Sequence, residues 1–143
     1  RKNISSYVVG IGGDVTFGDV ILGANLFGGK NVGNLVDTDV NGGDSGAGLA
    51  QYDGTSVIDN EAFAWKIHAT YVFNDMFGVH AGYGYMKTEL DNQSKDEVQS
   101  YYLQVPITLA IGVSIVPEIG TLDYKEAGQS QTDYVGAKWQ IDF

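Results

Sequence analysis

QTDYVGAKWQIDF, residues Gln131 to Phe143, decides how this chain is read. From Val135 onward the residues alternate. Val135, Ala137, Trp139, Ile141 and Phe143 are apolar, while Gly136, Lys138, Gln140 and Asp142 are small, polar or charged. A period of two is that of a strand whose two faces meet unlike surroundings. A strand that ends on a charged carboxyl-terminus in water normally frays, yet here the alternation keeps its full amplitude to Phe143. An apolar stripe of this kind calls for an apolar medium on one side.

Working outward, the same alternation recurs along the chain. Val113, Ile115, Pro117 and Ile119 oppose Ser114, Glu118 and Gly120 in the stretch 113–124. Tyr101, Leu103, Val105, Ile107 and Leu109 oppose Tyr102, Gln104, Pro106 and Thr108 in 98–109, which reads as a single strand. Phe77, Val79, Ala81, Tyr83 and Tyr85 oppose Gly78, His80, Gly82, Gly84 and Thr88 in 76–88. Phe63, Trp65, Ile67, Ala69, Tyr71 and Phe73 oppose Lys66, His68 and Thr70 in 63–73. In 7–17, Tyr7, Val9, Ile11, Val15 and Phe17 oppose Gly10, Gly12, Asp14 and Thr16. The stretch 20–30 follows the rule less cleanly, because Ile21 and Phe27 fall on its polar side. Residues 31–61 have no sustained period and are rich in Gly, Asp, Asn and Ser, so they read as one long loop.

Seven strands of about ten to thirteen residues follow, the length a tilted strand needs to cross a bilayer, where strands of soluble proteins run to about five or six. Their connections alternate. Those at 18–19, 74–75 and 110–112 are short; those at 31–61, 90–97 and 125–130 are longer. Short turns on one rim and longer loops on the other are the pattern of an outer-membrane barrel.

Composition sets the limits. A net charge of −10 and a pI near 4.3 exclude nucleic acid as a partner, since phosphate binding needs clustered Lys and Arg. With no cysteine there is no disulfide, thiolate ligand or thiol nucleophile, which suits passage through an oxidising periplasm. No run of eighteen apolar residues exists to make a membrane helix. The mean hydropathy of −0.09 leaves a membrane barrel open, because its strands are apolar on one face only. No leader-like segment opens at Arg1, and the expectation is a mature form or a fragment.

The faces sharpen the reading. In the last five strands the apolar face carries no charge at mid-strand; Lys87 shares its parity but lies at the loop end. A charge facing lipid at mid-depth costs about 2–4 kcal/mol. Aromatic residues gather at strand ends. Phe17, Phe73, Phe77 and Phe143 flank the short turns or the terminus, and Tyr7, Phe63, Trp65, Tyr85 and Tyr101 lie toward the long loops, as two interfacial girdles would. The predicted fold is all-β: an antiparallel up-and-down transmembrane β-barrel whose partner is the lipid bilayer.

Three stretches carry a family resemblance: YVGAKWQIDF with its final Phe143, YLQVPITLAIGVSIVPEIG (102–120) and AWKIHATYVFNDMFGVHAGYGY (64–85). The chain resembles the C-terminal part of a bacterial general porin. That resemblance implies a barrel of about sixteen strands around a water-filled channel, an outer-membrane location, passive diffusion of ions and small hydrophilic solutes, and a homotrimer. A terminal aromatic is, in that family, the signal read by the assembly machinery. The count of seven departs from the even number of single-chain bacterial barrels. The expectation is therefore that strands before Arg1 complete the barrel. An eight-stranded barrel acting as anchor, adhesin or structural protein, with a strand hidden in 31–61, is the alternative. A soluble lectin-like sandwich is a third reading, disfavoured by the strand lengths.

Lys66, His68, His80, Gln104, Glu118, Lys138 and Asp142 then face the lumen, where charges set ion preference. Without a channel they are a solvated strand face. The glycines at 10, 12, 78, 82, 84, 120 and 136 share that face and are expected to leave open space. Asp37, Asp39, Asn41 and Asp44 offer oxygens at the spacing that opens a calcium loop. Position twelve is Gly48 instead of a bidentate Glu, so the choice is between a loose Ca²⁺ site and a plain acidic loop. His68 and His80 are adjacent enough to suggest a two-His metal site. No Gly-x-Ser-x-Gly or His-Glu-x-x-His occurs, so no enzyme is expected.

Overall fold

The alternating stretches form one antiparallel sheet bent into an open half-barrel. The computed structural model describes residues 3–35, 48–91, 95–125 and 130–142. Its strands are β1 (Tyr7–Phe17), β2 (Val20–Lys30), β3 (Gln51–Tyr52), β4 (Val57–Ile58), β5 (Asn60–Val72), β6 (Gly78–Leu90), β7 (Lys95–Gln104), β8 (Ile107–Ala110), β9 (Val113–Tyr124) and β10 (Thr132–Ile141), with a 3-10 turn at Val32–Asn34. The large sheet runs β1-β2-β5-β6-β7-β9-β10, and β8 continues the line of β7 along β9. The seven predicted strands thus occupy seven consecutive places, each paired with its neighbour in sequence. Among the described residues the outer edges of β1 and β10 pair with no strand.

The short turns hold because their residues suit them. Gly18 and Gly112 adopt φ of 58° and 75°, a region that residues with a Cβ avoid. Asn74 accepts the Met76 and Phe77 amides on its Oδ1 at 2.8 and 3.0 Å, so the third turn is wider than 74–75 and β6 begins at Gly78.

Two further expectations are corrected. The stretch 98–109 is not one strand. It breaks between Gln104 and Ile107, where Pro106 has no amide to give the ladder. The Pro106 carbonyl accepts the Gly78 amide at 3.1 Å, and Pro117 stays inside β9 with its carbonyl accepting the Val105 amide at 3.0 Å. Nor is 31–61 without structure. It contains the 3-10 turn and the β3–β4 hairpin, and β5 begins at Asn60. In that hairpin Asp53 accepts the Thr55 and Ser56 amides, both at 2.7 Å, and these bonds hold its carboxyl below the usual range.

Burial is inverted relative to a water-soluble sheet. The apolar face is open: Ile67 is 51% exposed, Ile119 56%, Trp139 68% and Val135 81%. Among the described residues, buried strand side chains lie on the opposite face at the loop end and include Asn60, Ala62, Ala64, Thr88, Leu90 and Asp96. The root of the long loop folds toward them. Val32 is fully buried, and its Cγ1 lies 2.9 Å from where a Cβ on the inward Gly29 would stand. Asn31 fixes that root. Its Nδ2 donates to the Ser5 carbonyl at 2.9 Å and to Asp59 Oδ1 at 2.8 Å, and its Oδ1 accepts the Asn60 amide at 2.8 Å. Lys30 Nζ meets Asp59 Oδ2 at 2.5 Å. That lysine, ahead of Asn31, holds the Asp59 carboxyl below its ordinary value.

Candidate functional site

The register builds a cross-strand row on the inward face. Asp14 faces Gly23, Gly23 faces His68, His68 faces Gly82, Gly82 faces Tyr102, Tyr102 faces Gly120, and Gly120 faces Tyr134. Large and absent side chains alternate across all seven places of the sheet. The large ones lie down on the glycines. A Cβ on Gly82 would stand 2.4 Å from the Tyr102 ring, one on Gly120 would stand 2.4 Å from the Tyr134 hydroxyl, and one on Gly23 would stand between Asp14 and His68. The expectation of open space is therefore wrong at Gly82 and Gly120. They are seats for neighbouring side chains, and only Gly136 among the predicted set has nothing near its missing Cβ.

Laid flat, these side chains reach one another and the next row. Asp14 Oδ1 is 2.9 Å from His68 Nε2. The His68 and His80 rings lie 5.2 Å apart at 35°. His80 Nδ1 meets Thr70 Oγ1 at 2.6 Å, and its Nε2 meets the Tyr102 hydroxyl at 2.8 Å. Both hydroxyls can turn to donate or accept, so His80 is satisfied whether neutral or charged. Lys66 Nζ stands 5.0 Å from the centre of the Tyr102 ring, within cation–π range. On the far side Gln104 Nε2 donates to Glu118, and the Tyr134 hydroxyl donates to Glu118 Oε1 at 2.6 Å. His68 Nδ1 is buried with no partner.

Five of the seven predicted inward residues, Lys66, His68, His80, Gln104 and Glu118, therefore belong to one band of polar contacts. Lys138 borders the band across a hollow of about 510 Å³ that it shares with Gln104, Val116 and Glu118. Asp142 sits at the short-turn end, where its carboxylate accepts the Gln140 amide group. Asp14, Tyr102 and Tyr134 belong to the band beyond the residues that the sequence singles out. Parity alone marks Asp14 and Tyr102 as inward, and Tyr134 extends the last strand by the step that Val135 hid. No group of three His, Asp or Glu is placed to hold a metal among the described residues. Asp37, Asp39, Asn41 and Asp44 lie outside them.

The outward aromatics fall where parity puts them. Tyr83, on the same apolar face, lies among them, 5.1 Å from Trp65 and 5.3 Å from Tyr101 between ring centres. Tyr71 and Phe73 meet edge to face at 4.8 Å. Tyr85 donates to Glu97 Oε1 at 2.5 Å, at the start of a charged fringe on the loop side that includes the Lys87–Glu89 and Lys95–Glu97 pairs. Tyr7, Phe17, Phe63 and Phe77 are exposed, and Phe143 lies outside the described residues.

Solved structures share this architecture. The chain is similar to a loop L8 deletion mutant of OmpT, an outer membrane protein of Vibrio cholerae, at 18% identity and a TM-score of 0.65, over 98% of this chain and 40% of that one. It is similar to outer-membrane expressed OmpT of Vibrio cholerae at 16% identity and a TM-score of 0.63, over 95% and 40%. It is also similar to a porin at 14% identity and a TM-score of 0.54, over 95% and 40%. The likeness is one of fold, that of an outer-membrane β-barrel over most of this chain. The chain spans about 40% of the length of these structures. No family model and no curated protein matches the sequence.

Proposed function

We propose that this chain forms one side of a water-filled barrel in an outer membrane, through which ions and small hydrophilic solutes diffuse passively. One observation carries the reading. The outward face is apolar and free of charge at mid-strand, while the inward face bears Asp14, Lys66, His68, His80 and Glu118 on three successive rows. A soluble sheet buries the first and exposes the second; lipid outside and water inside invert that. The inward root of the long loop narrows such a lumen on its loop side.

The free edges constrain how the barrel closes. With seven antiparallel places, β1 and β10 run in the same direction. Antiparallel closure then needs an odd number of further strands. A second copy would supply seven only upside down, with its long loops on the opposite rim. Strands of different sequence are the better complement. Planar-bilayer recording of the full-length protein tests the reading. Stepwise ohmic conductance is expected, and a folded protein that gives no steps refutes it.

A further inference from the structure

The polar band contains two neighbouring histidines whose protonation adds positive charge to it. We propose that His68 and His80 act as a selectivity element, moving the lumen's preference toward anions as pH falls through the imidazole range. This rests on the channel reading above.

The fixed charges at that depth are few. Asp14 on β1 meets His68, Lys66 on β5 lies over Tyr102, and Glu118 on β9 accepts from Gln104 and Tyr134. Tyr102 and Tyr134 are the other titratable groups against the pair and its band, and phenols stay neutral near pH 7. With both imidazoles neutral, Asp14, Glu118, Lys66 and the Lys138 that shares a hollow with Glu118 sum to zero. With both protonated they sum to +2. No other described group at this level changes charge between pH 5 and pH 8, where histidine is the side chain that titrates.

The geometry lets His80 take that charge without rearrangement, while His68 Nδ1, buried with no partner, needs an acceptor for the added proton. His80 keeps both hydrogen bonds on protonation, because the Thr70 and Tyr102 hydroxyls rotate to accept. His68 keeps Asp14. Rings whose centres lie 5.2 Å apart repel once both are charged.

The test is the reversal potential of the full-length protein in planar bilayers under a KCl gradient, at about pH 7.5 and about pH 5, either side of the free imidazole value. Two added charges about 10 Å from a permeating ion, in about 0.1 M salt, change the potassium-to-chloride permeability ratio about threefold. The wild type should show that fall. H68Q/H80Q should show none, and each single variant should show an intermediate fall. A conducting wild type whose ratio ignores pH, or an equal fall in the double variant, overturns the proposal and leaves the channel reading standing. No conductance at either pH overturns both. Imidazole ¹⁵N shifts of the wild-type protein in nanodiscs need no variant: two rings that remain neutral at pH 5 also overturn it.

Discussion

A charge walked along one face of β5 tests the placement in the bilayer. Phe63 and Phe73 are ten residues apart on the exposed face. At about 3.3 Å per residue they are separated by about 33 Å along the strand. A strand tilted about 40° turns that into about 25 Å of depth, the height of the apolar band of an outer-membrane barrel. Ile67 then lies about 10 Å below the Phe63 level, within about 3 Å of the midplane. Ile67→Arg should destabilise the folded protein by about 2–4 kcal/mol, and Phe73→Arg by about 0–1 kcal/mol from the charge alone. Gly136→Arg is the control, inward and with nothing near its missing Cβ. It should cost no more than about 0.5 kcal/mol. Reversible denaturant titration in lipid vesicles, followed by Trp65 and Trp139 fluorescence, measures all three. Equal costs for Ile67→Arg and Gly136→Arg, or a smaller cost for Ile67→Arg than for Phe73→Arg, would refute the assignment of the faces.

Three more outcomes follow from the contacts. Gly82→Val puts carbon where the Tyr102 ring lies, and should cost about 1–2 kcal/mol by lifting that ring off His80 and Lys66; a Tyr102→Ala background should remove most of the penalty in the same titration. Asn31→Ala loses three hydrogen bonds at the loop root and places a Cβ-bearing residue without local polar compensation at φ 51°. It should open that root by about 2–3 kcal/mol, read as faster hydrogen exchange at the Asn60 amide. Asp59 has its folded value depressed, so its contribution is present above the ordinary carboxylate value of 3.8 and is lost as pH falls through the lower folded value. The stability difference between wild type and Asp59→Asn should therefore be level from about pH 7 to about pH 5 and vanish toward about pH 2; a difference that persists there means the Lys30 contact contributes nothing.

Alternation was readable wherever both faces were pure. β5 and β9 followed from it directly, because lipid and water impose opposite demands on successive residues. β2 was blurred for a physical reason. Ile21 and Phe27 point inward, opposite Thr70 and Ala64 and beside Thr16 and Gly10, so the inward face is not uniformly polar and apolar residues there carry no signal about side. The break at Val105–Pro106 was present in the sequence as a proline, but two prolines at similar distances from a turn do not reveal which one interrupts. The ladder decides it: the carbonyl of Pro117 is used by Val105 and its own strand continues, whereas Pro106 ends β7.

What parity could not give was the row. Knowing that His68, Gly82, Tyr102 and Gly120 all face inward does not say that they stand side by side, because that depends on register. Register depends on turn lengths, and a slip of two residues preserves every face while changing every neighbour. The turn at 73–77, wider than its Asn-Asp pair suggested, is where a reading by parity alone goes astray. Glycine compounds the difficulty. In sequence Gly82 and Gly120 look like space left for a lumen, and in the sheet each is filled from the adjacent strand, as is Gly23. The polar groups thereby lie along the wall instead of projecting across the opening, which holds His68 within reach of Asp14 and His80 within reach of Tyr102. In the channel proposed above, a band of this kind changes its charge without changing the width of the path. For that reason an effect on ion preference, and not on closure, is the consequence to expect from its titration.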